Sequence, residues 1–146
     1  MRIYLDCCSI QRPFDDKSHP RIAVEAEAVL VILSLCESGR VRLVSSEALQ
    51  FEIGQIPDQT RRDESLAILK IAKEVVEITP EIEALARTMI TTGVKPLDAL
   101  HLASAGFSRA DYFCTCDDKF LRKAKKIGGV GVMVVSPAEL VMELDI

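Results

Sequence analysis

Apolar and polar positions follow two rhythms along this chain, short apolar runs alternating with longer stretches at helical spacing. Residues 2–5 (RIYL) predict a short buried strand. From Cys7 to Pro20 the chain turns polar and is broken by Pro13 and Pro20, which predicts a loop. Ile22, Val29, Ile32 and Leu33, with Ala26 and Leu30 filling in, are spaced for a helix over 21–38, and Gly39 suits its C-terminal cap. VRLV at 41–44 predicts a second strand. Ser45 or Ser46 can cap a helix running through Leu49 and Ile53, with Gly54 and Pro57 as punctuation. Residues 58–75 predict a helix with a charged face, and 76–78 a short extended piece.

The second half repeats the alternation. Pro80 opens a helix ending near Gly93, and Pro96 opens another that runs to about Phe107. DYFCT at 111–115 predicts a strand, 117–126 a basic helix, and GVMVV at 131–135 a last strand. Ser136 and Pro137 start a final helix with Glu139 in its first turn. Strands separated by helices imply a three-layer α/β/α fold around a central, mostly parallel sheet. With 146 residues and no linker or repeat, a single domain over 1–146 is expected. Ligands of such sheets bind beyond the carboxyl ends of the strands.

That rule selects the polar residues of interest. Asp6 follows the first strand and Asp117 follows DYFCT. Asp98 falls in the first turn opened by Pro96, where the helix dipole favours a carboxylate. Glu52 lies on the helix after the second strand. Taken singly, each has an ordinary structural role: Asp6 ends a strand, Asp98 serves a helix N-terminus, Glu52 sits on a solvated face, and Asp117 is an N-cap. Brought to one rim by the fold, they repel unless a cation joins them. All-oxygen ligands select a hard ion such as Mg²⁺ or Mn²⁺.

The net charge of −4 is unusual for a protein that holds nucleic acid by bulk attraction, so any such contact must be local. Lys119, Arg122, Lys123, Lys125 and Lys126 crowd the segment after Asp117, and Arg12 follows Asp6. A charge run is usually a solvated helix face, but its place here suits phosphate contact. Two tyrosines, five phenylalanines and no tryptophan offer no base-stacking platform. The five cysteines (Cys7, Cys8, Cys36, Cys114, Cys116) form no disulfide framework or usual zinc spacing, and reduced thiols packed as small apolar groups are expected. No apolar run approaches the roughly 20 residues of a membrane span, and MRIYLDCCS does not read as a signal peptide, so a cytoplasmic protein is expected.

YLDCCSIQRPFDD, SSEALQFEI, VKPLDALHLASA and ADYFCTCDDKFL resemble the ordered acidic motifs of PIN-domain nucleases, a family that includes the toxins of the VapC type. The resemblance covers residue 2 to about residue 137. It implies metal-dependent hydrolysis of RNA phosphodiester bonds, with Mg²⁺ or Mn²⁺ as cofactor. By position, Asp6, Glu52, Asp98 and Asp117 match the family acids, and Asp6, Asp98 and Asp117 the metal ligands. Glu47 competes with Glu52, and Asp118 with Asp117. Ser9 and Thr115 resemble the supporting hydroxyl residues; Arg12, Lys119, Arg122 and Lys123 are candidates for nucleic-acid contact. An antitoxin partner and a homodimer are implied on the same basis. The chain departs from the pattern in carrying Cys7 and Cys8 where a small hydroxyl residue is common, which exposes the site to oxidation. His101 shares a helix face with Asp98, and a satisfied core histidine is the expected role.

Other readings fit less well. An aspartyl-phosphate enzyme of the haloacid-dehalogenase type wants D-x-D after the first strand, where this chain has Asp6-Cys7-Cys8. A receiver domain wants an acidic pair there. Gly128, Gly129 and Gly131 precede a strand rather than follow one, so they form no phosphate loop. A non-catalytic binding module of the same fold is the alternative from another class.

Overall fold

The computed structural model describes residues 1–127 and 130–144. Five parallel strands form one sheet in the order β3-β2-β1-β4-β5. They are β1 (Arg2–Leu5), β2 (Arg42–Ser46), β3 (Glu74–Val76), β4 (Tyr112–Cys114) and β5 (Met133–Val135). The helices are α1 (Cys7–Gln11), α2 (Pro20–Glu37), α3 (Glu47–Gly54), α4 (Gln59–Leu69), α5 (Pro80–Ile90), α6 (Pro96–Phe107), α7 (Asp118–Lys126) and α8 (Pro137–Glu143). Helix α6 lies over β2 and β4 and carries α5; helix α8 lies over β4 and β5 and carries α2. The result is the expected three-layer α/β/α arrangement.

The central strands are apolar throughout because both sheet faces are covered. Ile3, Tyr4 and Leu5 are fully buried, as are Val44 and Phe113. Tyr4 stacks on Phe113 with ring centroids 5.3 Å apart, and Phe120 of α7 meets Phe113 edge-on at 5.6 Å. This aromatic run ties β1, β4 and α7 together directly below the carboxyl edge.

The chain winds outward from β1 through β2 to β3, then returns to the other side of β1 for β4 and β5. The strand order therefore reverses between β1 and β4, and a crevice opens above that point. Pairing carries on past the strand ends: the Asp6 N–H donates to Cys114 O at 3.1 Å, and the Thr115 N–H to Val135 O at 3.0 Å.

Three local expectations need correction. The polar segment from Cys7 is not all loop: residues 7–11 form α1, followed by a 3₁₀ turn over Arg12–Phe14. Asp6 caps α1 by accepting the Ser9 N–H, so the acid that ends the strand also starts a helix. The helix expected over 58–75 stops at Leu69, and the extended piece expected at 76–78 lies earlier, at 74–76. Pairing with β2 decides this, since Val44, Ser45 and Ser46 register with Glu74, Val75 and Val76. Of the glycine turn before β5, Gly131 takes φ +79°, whereas Gly128 and Gly129 fall outside the described residues.

Candidate active site

Above the β1/β4 crevice lies a cavity of about 480 Å³ lined by Asp6, Cys7, Cys8, Glu52, Lys95, Pro96, Leu97, Asp98 and Asp117. The four expected acids thus meet in one place. Each arrives for a local reason. Asp6 is the N-cap of α1. Asp117 is the N-cap of α7, accepting the Phe120 N–H at 3.1 Å, so the ordinary capping role and a place in the cavity coexist. Asp98 stands in the first turn of α6 behind Pro96. Ser46 caps α3, and Glu52 lies one and a half turns along it.

The competing acids point elsewhere. Glu47 accepts the Ile78 N–H at 2.7 Å, and Asp118 is held by Arg21. Neither lines the cavity. The bond to Arg21 holds the Asp118 carboxyl below its ordinary range.

Electrostatically the cavity is strained by like charge. Asp6 is 4% exposed. Burial pushes its carboxyl upward, against hydrogen bonds from Thr115, Cys8 and the Ser9 N–H that pull it down. Asp98 is pushed up to about 6 by burial and then by the charge of Asp6, with Glu52 and Asp117 adding to it and His101 opposing. Among the described residues no lysine or arginine forms an ion pair with Asp6, Asp98 or Asp117.

The supporting hydroxyls work behind the acids. Ser9 is buried; its N–H donates to Asp6 Oδ1 at 3.1 Å and its hydroxyl to Cys114 O at 3.1 Å. The Thr115 hydroxyl accepts the Asp117 N–H at 3.1 Å. The basic candidates divide. Lys119, Arg122 and Lys123 are exposed on α7, with Lys123 Nζ donating to Gly93 O at 3.0 Å. Arg12 is turned inward, pairing with Asp15 at 2.8 Å and Glu25 at 3.2 Å, and it does not line the cavity.

One functional relationship was not foreseen. His101 is buried as expected, but its Nε2 lies 2.6 Å from Glu52 Oε1, and its Nδ1 lies 2.7 Å from the Tyr4 hydroxyl. Lys95, immediately before the Pro96 that opens α6, also lines the cavity, though nothing in its local sequence marks it.

The PIN domain family description matches residues 3–126. The chain belongs to the PIN-domain family. No curated protein matches. Among solved structures, this PIN domain is similar to a chain in VapBC2 from Rickettsia felis bound to a DNA fragment from their promoter. The TM-score is 0.58 at 14% identity, over 93% of this chain and 98% of that one. It is also similar to PAE2754 from Pyrobaculum aerophilum, with a TM-score of 0.56 at 14% identity, over 98% of this chain and 88% of that one. At such identities the likeness is one of fold. Among the described residues no helix of the PIN domain is long and apolar enough to cross a membrane.

Proposed function

We propose that this PIN domain is a ribonuclease that hydrolyses RNA phosphodiester bonds with the help of Mg²⁺ or Mn²⁺ held by Asp6, Asp98 and Asp117. The observation that carries the reading is the convergence of Asp6, Glu52, Asp98 and Asp117 on one cavity without a pairing cation from the protein. Among the described residues no three acid, cysteine or histidine side chains stand close enough to grip an ion at once. A hard ion that keeps several of its waters would be reached by some of these carboxylates directly and by others through water. The donor set facing the cavity is dominated by carboxylate oxygen, which favours such ions over soft ones. When bound, the ion supplies a water acidic enough to attack near neutral pH and neutralises charge on the scissile phosphate.

The side chains themselves do the positioning. The helix caps fix one oxygen each of Asp6 and Asp117. Glu52, held by its hydrogen bond with His101, would accept or return a proton in the cavity. Lys95 at the rim, with Lys119, Arg122 and Lys123 on the adjoining helix, offers positive charge to flanking phosphates. The similar Rickettsia felis structure is of VapBC2 bound to promoter DNA, which supports a toxin restrained by an antitoxin protein as the biological setting. A cytoplasmic homodimer belongs to the same reading.

The test is cleavage of labelled structured RNA and of single-stranded DNA with Mg²⁺, Mn²⁺ or chelator, with Asp98→Asn in parallel. Metal-dependent cutting of RNA by the wild type, absent in the variant, is expected. Equal cutting of DNA would refute the choice of RNA. No cutting together with no thermal stabilisation by either ion would refute the metal-dependent nuclease itself.

A further inference from the structure

Two thiols flank the acids of the cavity, and the acid-bearing connections meet through them. Cys8 is the second residue of α1, next but one to Asp6; Cys116 lies between β4 and α7, next to Asp117. The Cys116 N–H donates to the Cys8 sulfur at 3.4 Å. The Cys8 thiol also reaches Asp6 Oδ1 at 3.1 Å and Thr115 Oγ1 at 3.6 Å. Cys116 is 7% exposed, and the Ser9 hydroxyl lies 3.7 Å from its sulfur. Cys8 is partly exposed and lines the cavity.

The remaining cysteines are not placed for this chemistry. Cys7 accepts the Gln11 Nε2 donor at 3.1 Å, and pairing it with adjacent Cys8 would force a strained ring. Cys114 is fully buried within β4, and Cys36 lies on α2, away from the acids.

We propose that Cys8 and Cys116 are a peroxide-responsive pair whose disulfide reversibly disables the carboxylate site. The inference rests on reading that site as a nuclease centre. The oxidant is hydrogen peroxide or an organic hydroperoxide. Cys8 faces the cavity, so its sulfur attacks the peroxide; the O–O bond breaks, Cys8 becomes a sulfenic acid, and the departing oxygen leaves as water or alcohol with the thiol proton. The Cys116 sulfur then attacks the Cys8 sulfur; the S–O bond breaks and water leaves with the second proton. Two thiols are oxidised by two electrons and one peroxide is reduced.

The consequence is geometric. A disulfide brings the sulfurs to about 2.05 Å, well inside any hydrogen-bonded approach. Asp6 then loses its thiol donor, and α1 is tied to the Cys116–Asp117 connection.

The test uses the full chain treated with hydrogen peroxide, then quenched and digested without reductant. Expected is a loss of 2 Da in the intact mass, a linked peptide pair containing Cys8 and Cys116, and recovery of both free peptides with dithiothreitol. Cleavage of RNA should fall at least tenfold on oxidation and return on reduction. In Cys116→Ser, compared with its own reduced state, peroxide should yield no linked pair, with oxidation stopping at the Cys8 sulfur. Linkage of Cys7 to Cys8 or of Cys114 to Cys116, or oxidation that stops at sulfinic acid with no linked pair, would overturn the proposal. So would the expected disulfide with an unchanged rate. If the reduced protein cuts nothing and neither ion stabilises it, the nuclease reading fails, while the mass measurement still decides whether the pair forms.

Discussion

Glu52 Oε1 lies 2.6 Å from His101 Nε2, and the bond is the last of a one-way chain through the core. Leu49 donates its N–H to Ser46 Oγ at 3.0 Å; Ser46 lies 2.6 Å from the Tyr4 hydroxyl, which lies 2.7 Å from His101 Nδ1. Donors and acceptors match along the whole path if Ser46 donates to Tyr4, Tyr4 to Nδ1, and the Nε2–H to Glu52. An N-cap on α3 is linked through β1 and α6 back to a carboxylate on α3.

Replacing His101 by leucine leaves the Tyr4 hydroxyl and Glu52 without their partner. We expect a loss of about 1–3 kcal/mol, read as a lower urea midpoint. RNA cleavage should lose about tenfold in kcat with little change in KM, since Glu52 is misplaced and phosphate contact is not. His101→Gln, which can still donate toward Glu52, should recover part of the rate. A fall in KM-linked binding with kcat unchanged would argue against a positioning role.

Asp98 makes stability depend on pH and metal together. Its folded pKa of about 6 lies above its ordinary value of 3.8, so between the two the metal-free folded protein holds the extra proton. This contribution to stability is therefore fully present below the ordinary value and is lost as pH rises through about 6. The metal-free melting temperature, taken relative to Asp98→Asn, should fall across that window. Mg²⁺ binds the ionised form, so its stabilising effect should grow with pH over the same range and be weaker in the variant. Asp98→Asn should also melt higher than the wild type without metal, while cutting RNA on the order of 100-fold more slowly or worse. A metal-free wild type that gains stability relative to the variant as pH rises through the window would contradict the assignment.

Arg12 supports the fold more than it meets solvent. It faces Glu25, which is 4% exposed, and Asp15, which is also bound by Arg61. Arg12→Ala leaves a buried carboxylate short of a partner and should cost about 3 kcal/mol in denaturant unfolding. Removing both charges in Arg12→Leu with Glu25→Leu should restore most of it. An Arg12→Ala protein as stable as the wild type would show that Arg21 suffices for Glu25.

Lys119 and Arg122 are exposed, and their loss should leave stability within about 0.5 kcal/mol. Alanine at both positions should weaken RNA binding at every sequence. It should also reduce the salt slope by roughly 0.7 per lost contact with single-stranded RNA. An unchanged slope would remove α7 from the substrate path.

Gly106, near the end of α6, is packed against Val130. A Cβ there would meet Val130 Cγ1 at 2.5 Å and its carbonyl oxygen at 2.9 Å. Since backbone must yield as well as side chain, Gly106→Ala should cost about 1–3 kcal/mol despite alanine's better helix propensity. Calorimetry that finds the variant more stable would show that the Val130 segment gives way freely.

The alternation of apolar runs and helical spacing was sufficient for the α/β/α layers, because strands buried on both faces and amphipathic helices carry their patterns locally. Ser46, Asp117 and Ser136 were legible as caps for the same reason: a cap needs only its own next turn. Helix α1 was not legible, since its five residues are too few to show a period and its start depends on Asp6 accepting the Ser9 N–H. The end of α4 was set by β3 pairing with β2, a partner some thirty residues away.

The same division holds for the site. Asp6, Glu52, Asp98 and Asp117 could be named from their places after strands and at helix starts, with Glu47 and Asp118 left as competitors of Glu52 and Asp117. Only the tertiary structure decided that Asp118 is bound by Arg21 and Asp117 faces the cavity, that Arg12 turns inward to Glu25, and that His101 reaches Glu52. Adjacent residues on a chain share a neighbourhood but not a direction, and direction is set by what packs against them. The meeting of Cys8 with Cys116 is of this kind: 108 positions apart in sequence, they touch because β1 and β4 are neighbours in the sheet.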